Sequence, residues 1–128
     1  MPIRCLIVDD NRRFAQTARE LLQEDGIEVL GVASGSHEAV RLARELRPDL
    51  ALVDIDLGEE SGLDVAGRLR ADEPGALVDA VILISTHAQD EFAELIAASP
   101  AVGFIAKAEL SANAIEALLA RPAQEPTG

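Results

Sequence analysis

Leu50-Ala51-Leu52-Val53 is an unbroken apolar run that ends on the carboxylate of Asp54. A short run with no polar alternation reads as a strand buried on both faces, the kind that sits inside a parallel sheet. The pattern recurs in both directions along the chain. Cys5-Leu6-Ile7-Val8 ends on Asp9 and Asp10, Val81-Ile82-Leu83-Ile84 on Ser85, and Gly103-Phe104-Ile105-Ala106 on Lys107. A further run at residues 27–33 alternates more and leaves Glu28 exposed, which suits a strand nearer the sheet edge.

Helical patterns fill the gaps. Asn11 or Asp10 can cap a first helix with Phe14, Ala18, Leu21 and Leu22 inward, stopped by Gly26. Ser36 is the expected cap of a second, with Ala39, Leu42, Ala43 and Leu46 inward, ended by Pro48. A Gly- and Glu-rich loop is expected from Asp54 to Gly62, then a third helix with Leu63, Ala66 and Leu69 inward to the Pro74-Gly75 break. A fourth carries Phe92, Leu95 and Ile96, and Ser111 caps a fifth with Ile115, Leu118 and Leu119. Five strand–helix repetitions imply an α/β fold, a doubly wound five-stranded parallel sheet between two helical layers. With the most apolar runs central, the expected strand order is 2-1-3-4-5, a flavodoxin-like (βα)5 sandwich. Residues 1–121 are expected to form one domain and residues 122–128 a short disordered tail.

The 128 residues carry a formal charge of −12. That acidity argues against direct binding to nucleic acid and against docking on an anionic membrane surface. No apolar stretch approaches the ~18 residues needed to span a bilayer, and no secretory signal is visible, so the expected location is cytoplasmic. Cys5 lies inside an apolar run and reads as a small buried hydrophobe. Between Asp72 and Arg121 the sole Lys or Arg is Lys107, a cation that needs a reason.

In open α/β sheets ligands bind at the carboxyl edge, at the point where the strand order reverses. Here that point lies between Asp9-Asp10 and Asp54. Two carboxylates about 4 Å apart repel by ~4 kcal/mol at an effective dielectric near 20. Mg²⁺ is the natural counter-ion for such a cluster, being a hard cation that takes carboxylate and phosphate oxygens. Asp10 as a mere helix cap would leave Asp54 and Lys107 unexplained. A carboxylate beside a metal, an ammonium and a hydroxyl has the parts to accept a phosphoryl group: Asp54 as nucleophile, Lys107 and Ser85 on the phosphoryl oxygens.

The strings LIVDD, LVDIDLGEESG, ILIST and GFIAK, in this order and spacing, resemble the motifs of response-regulator receiver domains over about residues 3–120. The resemblance implies that Asp54 is phosphorylated by a sensor histidine kinase or a phosphotransfer protein. It implies that Asp10 ligates Mg²⁺ directly, Asp9 largely through water, and Asp56 through its backbone carbonyl. It makes Lys107 the phosphoryl ligand and Ser85 with Phe104 the switch pair, in a phosphoacceptor with no turnover substrate.

Several positions depart from the family's common pattern. Gly58 and Ala108 stand where Pro is frequent, and Phe104 stands where Tyr is common. Thr86 offers a second hydroxyl, but Ser85 comes first after the strand and matches the family spacing. His87 at the mouth of the site is a candidate modulator of water access, the plainer reading being a solvated loop histidine. With no effector domain in the sequence, output would pass through a downstream protein.

Three rival readings fit the sequence less well. A haloacid-dehalogenase-type phosphohydrolase, suggested by Asp54-Ile55-Asp56, needs the pair after the first strand and a hydroxyl where Gly58 stands. A flavin carrier needs a phosphate cradle where Asp9-Asp10-Asn11 would repel it. A receiver-like module working without phosphorylation would not need the acidic cluster, Asp54 or Lys107.

Overall fold

The run at residues 50–54 forms the central strand of a five-stranded parallel sheet. The computed structural model describes residues 2–71, 76–86 and 93–120. Along the chain these give β1 (Arg4–Val8), α1 (Arg12–Glu24), β2 (Glu28–Ala33), α2 (Ser36–Leu46) and β3 (Leu50–Asp54). A ribbon of β4 (Asp56–Leu57) and β5 (Glu60–Ser61) precedes α3 (Gly62–Ala71). Then come β6 (Ala80–Ser85), α4 (Ala93–Ala98), β7 (Gly103–Ala106), a 3-10 turn (Lys107–Glu109) and α5 (Ala112–Ala120). The sheet order is β2-β1-β3-β6-β7. Setting aside the β4–β5 ribbon, which pairs only with itself, this is the expected 2-1-3-4-5.

Alternation along each strand divides the core in two. Cys5, Ile7, Leu50, Leu52, Ile82 and Ile84 face α1 and α5, meeting Ala15, Ala18, Leu22, Ala112 and Ile115. Leu6, Val8, Ala51, Val53, Val81 and Leu83 face α2, α3 and α4, meeting Ala39, Ala43, Val65, Ala66, Leu69 and Ile96. Both faces of the central strands are therefore covered, and that is why their sequences show no polar alternation. Cys5 is fully buried, and burial pushes its thiol up to about 12, so it serves as the packing residue its setting suggested.

Local chemistry sets the helix ends. Asn11, rather than Asp10, caps α1: its side-chain oxygen accepts from Phe14 N–H at 3.1 Å. Gly26, at φ +94°, turns the chain into β2. Ser111 caps α5 by accepting from Ala114 N–H at 3.0 Å.

Four finer expectations are corrected. Ser36 does not cap α2; it is the helix's first residue, and its hydroxyl donates to Glu60 at 2.6 Å. Leu21 is 39% exposed because the buried stripe of α1 runs through Ala15, Ala18 and Leu22, one residue round the helix. Leu95 is 54% exposed, leaving Ile96 as the buried residue of α4. The loop after Asp54 holds the β4–β5 ribbon, turned at Gly58 with φ +73°. Pro74-Gly75, His87, Phe92 and residues 121–128 lie outside the described residues.

Candidate functional site

Register brings the polar strand ends together. Val8 pairs with Val53, so Asp9 and Asp54 stand one step beyond on neighbouring strands. Ser85 pairs with Ala106, which puts Lys107 one step past Ser85 on the next strand. Asp9 is held by its backbone N–H on the Ala33 carbonyl at 2.9 Å, and its Oδ1 accepts from Asn11 N–H at 2.8 Å. Asp54 Oδ1 accepts from Asp56 N–H at 3.1 Å. These bonds aim both carboxylates at one edge of the sheet.

Asp9, Asp10 and Asp54 each present a carboxylate oxygen, all within 4.8 Å of one another. Asp9 and Asp54 are buried, at 1% and 6% exposure, while Asp10 is exposed. Lys107 Nζ lies 2.7 Å from Asp9 Oδ2 and 3.1 Å from Asp54 Oδ2, and 4.4 Å from the centre of the Phe14 ring. Burial disfavours the ammonium, but the two carboxylates outweigh it and raise the Lys107 pKa. Burial also raises the Asp54 carboxyl, against the Asp56 N–H and Lys107, with the Asp9 charge adding to the rise.

The donor set fits a small divalent cation. Three acidic groups face one ammonium. Among the described residues Lys107 is the sole partner of the buried Asp9 Oδ2, held by charge and proximity without a well-directed hydrogen bond. A site of hard oxygens, open to solvent at Asp10, suits Mg²⁺, which keeps several waters and takes one or two carboxylates.

The remaining candidates lie around this centre. Ser85 ends β6 and is 1% exposed; Thr86 beside it is exposed. Phe104 pairs with Leu83, two residues before Ser85, so Ser85 and Phe104 share a sheet face as diagonal neighbours. Phe104 is half-buried against the core under α2, α3 and α4. Asp56 starts the β4–β5 ribbon, and its own Oδ1 accepts from Gly58 N–H at 3.3 Å.

Three residues were not read from the sequence as part of the site. Phe14 was expected only in the core, yet its ring also faces Lys107. Gly62 had signalled no more than a loop end. A Cβ there would overlap the Asp54 carbonyl oxygen, so only glycine lets α3 start this close to the strand end. Glu60 lay in what read as plain loop, with nothing local to mark its distant partner.

The geometry has close parallels among known proteins. A family profile described as the response regulator receiver domain matches residues 5–119. The polar-differentiation response regulator DivK of Brucella anthropi is 44% identical over 73 residues, covering 57% of this chain and 58% of that protein. The chain spans about half the length of the curated relatives it matches. The crystal structure of the signal receiver domain of a modulated diguanylate cyclase from Desulfovibrio desulfuricans is 36% identical, with a TM-score of 0.76 over 93% of this chain and 91% of that one. A response regulator from Burkholderia pseudomallei, solved with a phosphorylated aspartic acid, a calcium ion and citrate, is 27% identical. Its TM-score is 0.71 over 97% of this chain and 75% of that one. The sheet order, the acidic cluster beside Lys107 and a family match over nearly the whole length agree: this chain belongs to the response regulator receiver domain family.

Proposed function

We propose that Asp54 accepts a phosphoryl group from a phosphohistidine on a sensor histidine kinase or phosphotransfer protein. Asp9, Asp10, Asp54 and the backbone carbonyl of Asp56 would hold Mg²⁺. The observation that carries this reading is the convergence of three carboxylates within 4.8 Å of one another beside an ammonium paired to two of them. The related regulator solved with a phosphorylated aspartic acid and a calcium ion supports it.

An Asp54 carboxylate oxygen attacks the phosphorus in line. The new P–O bond forms as the P–N bond to the donor imidazole breaks, and the imidazole leaves with the electron pair and takes up a proton. Mg²⁺, when bound, neutralises charge on the phosphoryl oxygens as a Lewis acid. Lys107 already stands at Asp54 Oδ2 and meets a second phosphoryl oxygen without a long movement. The Ser85 hydroxyl donates to a third, and Phe104 on the same face turns inward with it. This reorganises the surface around β7 for a downstream protein. Hydrolysis reverses the state: water attacks phosphorus, the bond to Asp54 breaks and inorganic phosphate leaves. Thr86, which is exposed, and His87, next in sequence, are the candidate modulators of that water. No substrate is turned over beyond the chain's own acyl phosphate, and with a net charge of −12 the partners are proteins rather than nucleic acid or membrane.

The test is phosphate incorporation from a small acyl phosphate with Mg²⁺. Wild type is expected to gain one phosphate that is acid-labile and released by hydroxylamine, as an acyl phosphate is, and Asp54→Asn none while remaining folded. Full labelling of that variant would place the acceptor elsewhere.

A further inference from the structure

Glu60 makes a long-range side-chain contact near the site that serves no assigned role. It sits on β5, and its carboxylate grips the first residue of α2 with both oxygens. Oε1 accepts from Ser36 N–H at 2.8 Å and Oε2 from the Ser36 hydroxyl at 2.6 Å. Arg68 of α3 donates to the same hydroxyl at 3.4 Å. The contact completes a helix end. Gly35 takes the N-cap position of α2 without a side chain to cap it, and a Cβ there would come within 3.1 Å of Glu60 Oε1. A carboxylate supplied from elsewhere in the chain thus meets an amide that the helix leaves without an internal partner, at its positive end. The hydroxyl and N–H of Ser36 hold Glu60 ionised, lowering its pKa.

What this contact anchors is the metal side of the site. Glu60 pairs with Leu57 and Ser61 with Asp56, so the grip on Ser36 fixes the ribbon that carries the Asp56 carbonyl. At the ribbon's turn, a Cβ on Gly58 would lie 3.3 Å from Asp10 Oδ2. The anchor is itself fixed: Glu38 of α2 accepts from Ser34 N–H at 3.0 Å and from the Ser34 hydroxyl at 3.3 Å. Ser34 follows Ala33, whose carbonyl holds Asp9 N–H. Asp9 on one side of the cluster and the Asp56 backbone on the other are therefore referenced to one helix end.

We infer that Glu60 is a positioning residue for the divalent cation, latching the β4–β5 ribbon to the start of α2 so that the Asp56 carbonyl stands ready for the metal. This rests on the functional reading above. It predicts that loss of the latch weakens cation binding while the chemistry at saturating cation persists, because Glu60 touches no reacting atom.

The experiment measures Mg²⁺ affinity by calorimetric titration of wild type, Glu60→Ala, Glu60→Gln and Ser36→Ala. Phosphate uptake from a small acyl phosphate is followed across the same Mg²⁺ range, and amide exchange at Asp56 and Gly58 is followed without metal. Glu60→Ala is expected to weaken Mg²⁺ binding about threefold to tenfold, below the 10–100-fold typical when a direct partner of a ligand is lost. Its maximal uptake rate should be unchanged and its ribbon amides should exchange faster. Glu60→Gln keeps one acceptor and should fall between. Ser36→Ala combined with Glu60→Ala should do no more than Glu60→Ala alone, as expected for two ends of one contact. If wild type takes up phosphate while Glu60→Ala matches it in Mg²⁺ affinity and amide exchange, the positioning role falls and the functional reading stands. A wild type that neither binds Mg²⁺ nor takes up phosphate overturns both.

Discussion

Gly62 and Asp54 show how tightly backbone and chemistry are joined at the level of single residues. The Gly62 N–H donates to the Ile55 carbonyl at 2.6 Å, and a side chain at Gly62 would strike the Asp54 backbone. Gly62→Ala is expected to destabilise the fold by about 1–3 kcal/mol, the usual range for overpacking, and to slow phosphate uptake by shifting Asp54. Urea unfolding and uptake assays on the same preparation check both effects; a variant of wild-type stability would mean the strand end yields freely. Asp54 itself predicts a pH dependence. Burial raises its folded-state pKa, so the folded chain holds the proton more tightly than the unfolded chain does. In metal-free buffer its contribution to stability is greatest below the unfolded value of about 3.9 and falls as pH rises through the raised folded value. Asp54→Asn does not titrate. Its melting temperature should therefore gain on wild type across that window, and a gap that stays constant with pH would refute the raised pKa. The acidic cluster and Lys107 were legible because each ends an apolar run. Gly62 and Phe14 were not, since their roles depend on distances that only the packed chain defines.

Among the elements, two serines show where sequence reading succeeds and where it stops. Ser111 and Ser36 both precede helical patterns, and both read as N-caps. Ser111 is one, because its partner Ala114 N–H lies only three residues away, within the same helix start. Ser36 instead meets Glu60, 24 residues later, and a carboxylate that accepts from both its hydroxyl and its N–H outcompetes a local cap. The β4–β5 ribbon was missed for a related reason: two-residue strands carry no periodic signal. Ser111→Ala should cost about 1 kcal/mol, the typical loss of a hydroxyl cap, and leave phosphate uptake intact because α5 contributes no ligand. A chemical-denaturation midpoint unchanged from wild type would show that the hydroxyl contributes nothing there.

At the scale of the whole molecule, the doubly wound order followed from one physical demand. Strands without polar alternation need cover on both faces, and α1 with α5 on one side and α2, α3 and α4 on the other supply it. The same scale sets how the metal must be tested. A chain of net charge −12 repels itself, so any added cation stabilises it by screening. Mg²⁺ at the site adds a different contribution, since an ion that binds only the folded state stabilises by mass action: about 2.7 kcal/mol at a hundred times its dissociation constant. The two separate when NaCl is matched to MgCl₂ in ionic strength. Wild type is expected to melt at higher temperature in MgCl₂ than in matched NaCl. Asp10→Asn removes the exposed carboxylate of the cluster and should lose most of that difference while keeping its response to NaCl. If both salts raise the melting temperature equally in wild type, the carboxylates at the strand ends respond to screening alone and do not form a divalent-cation site.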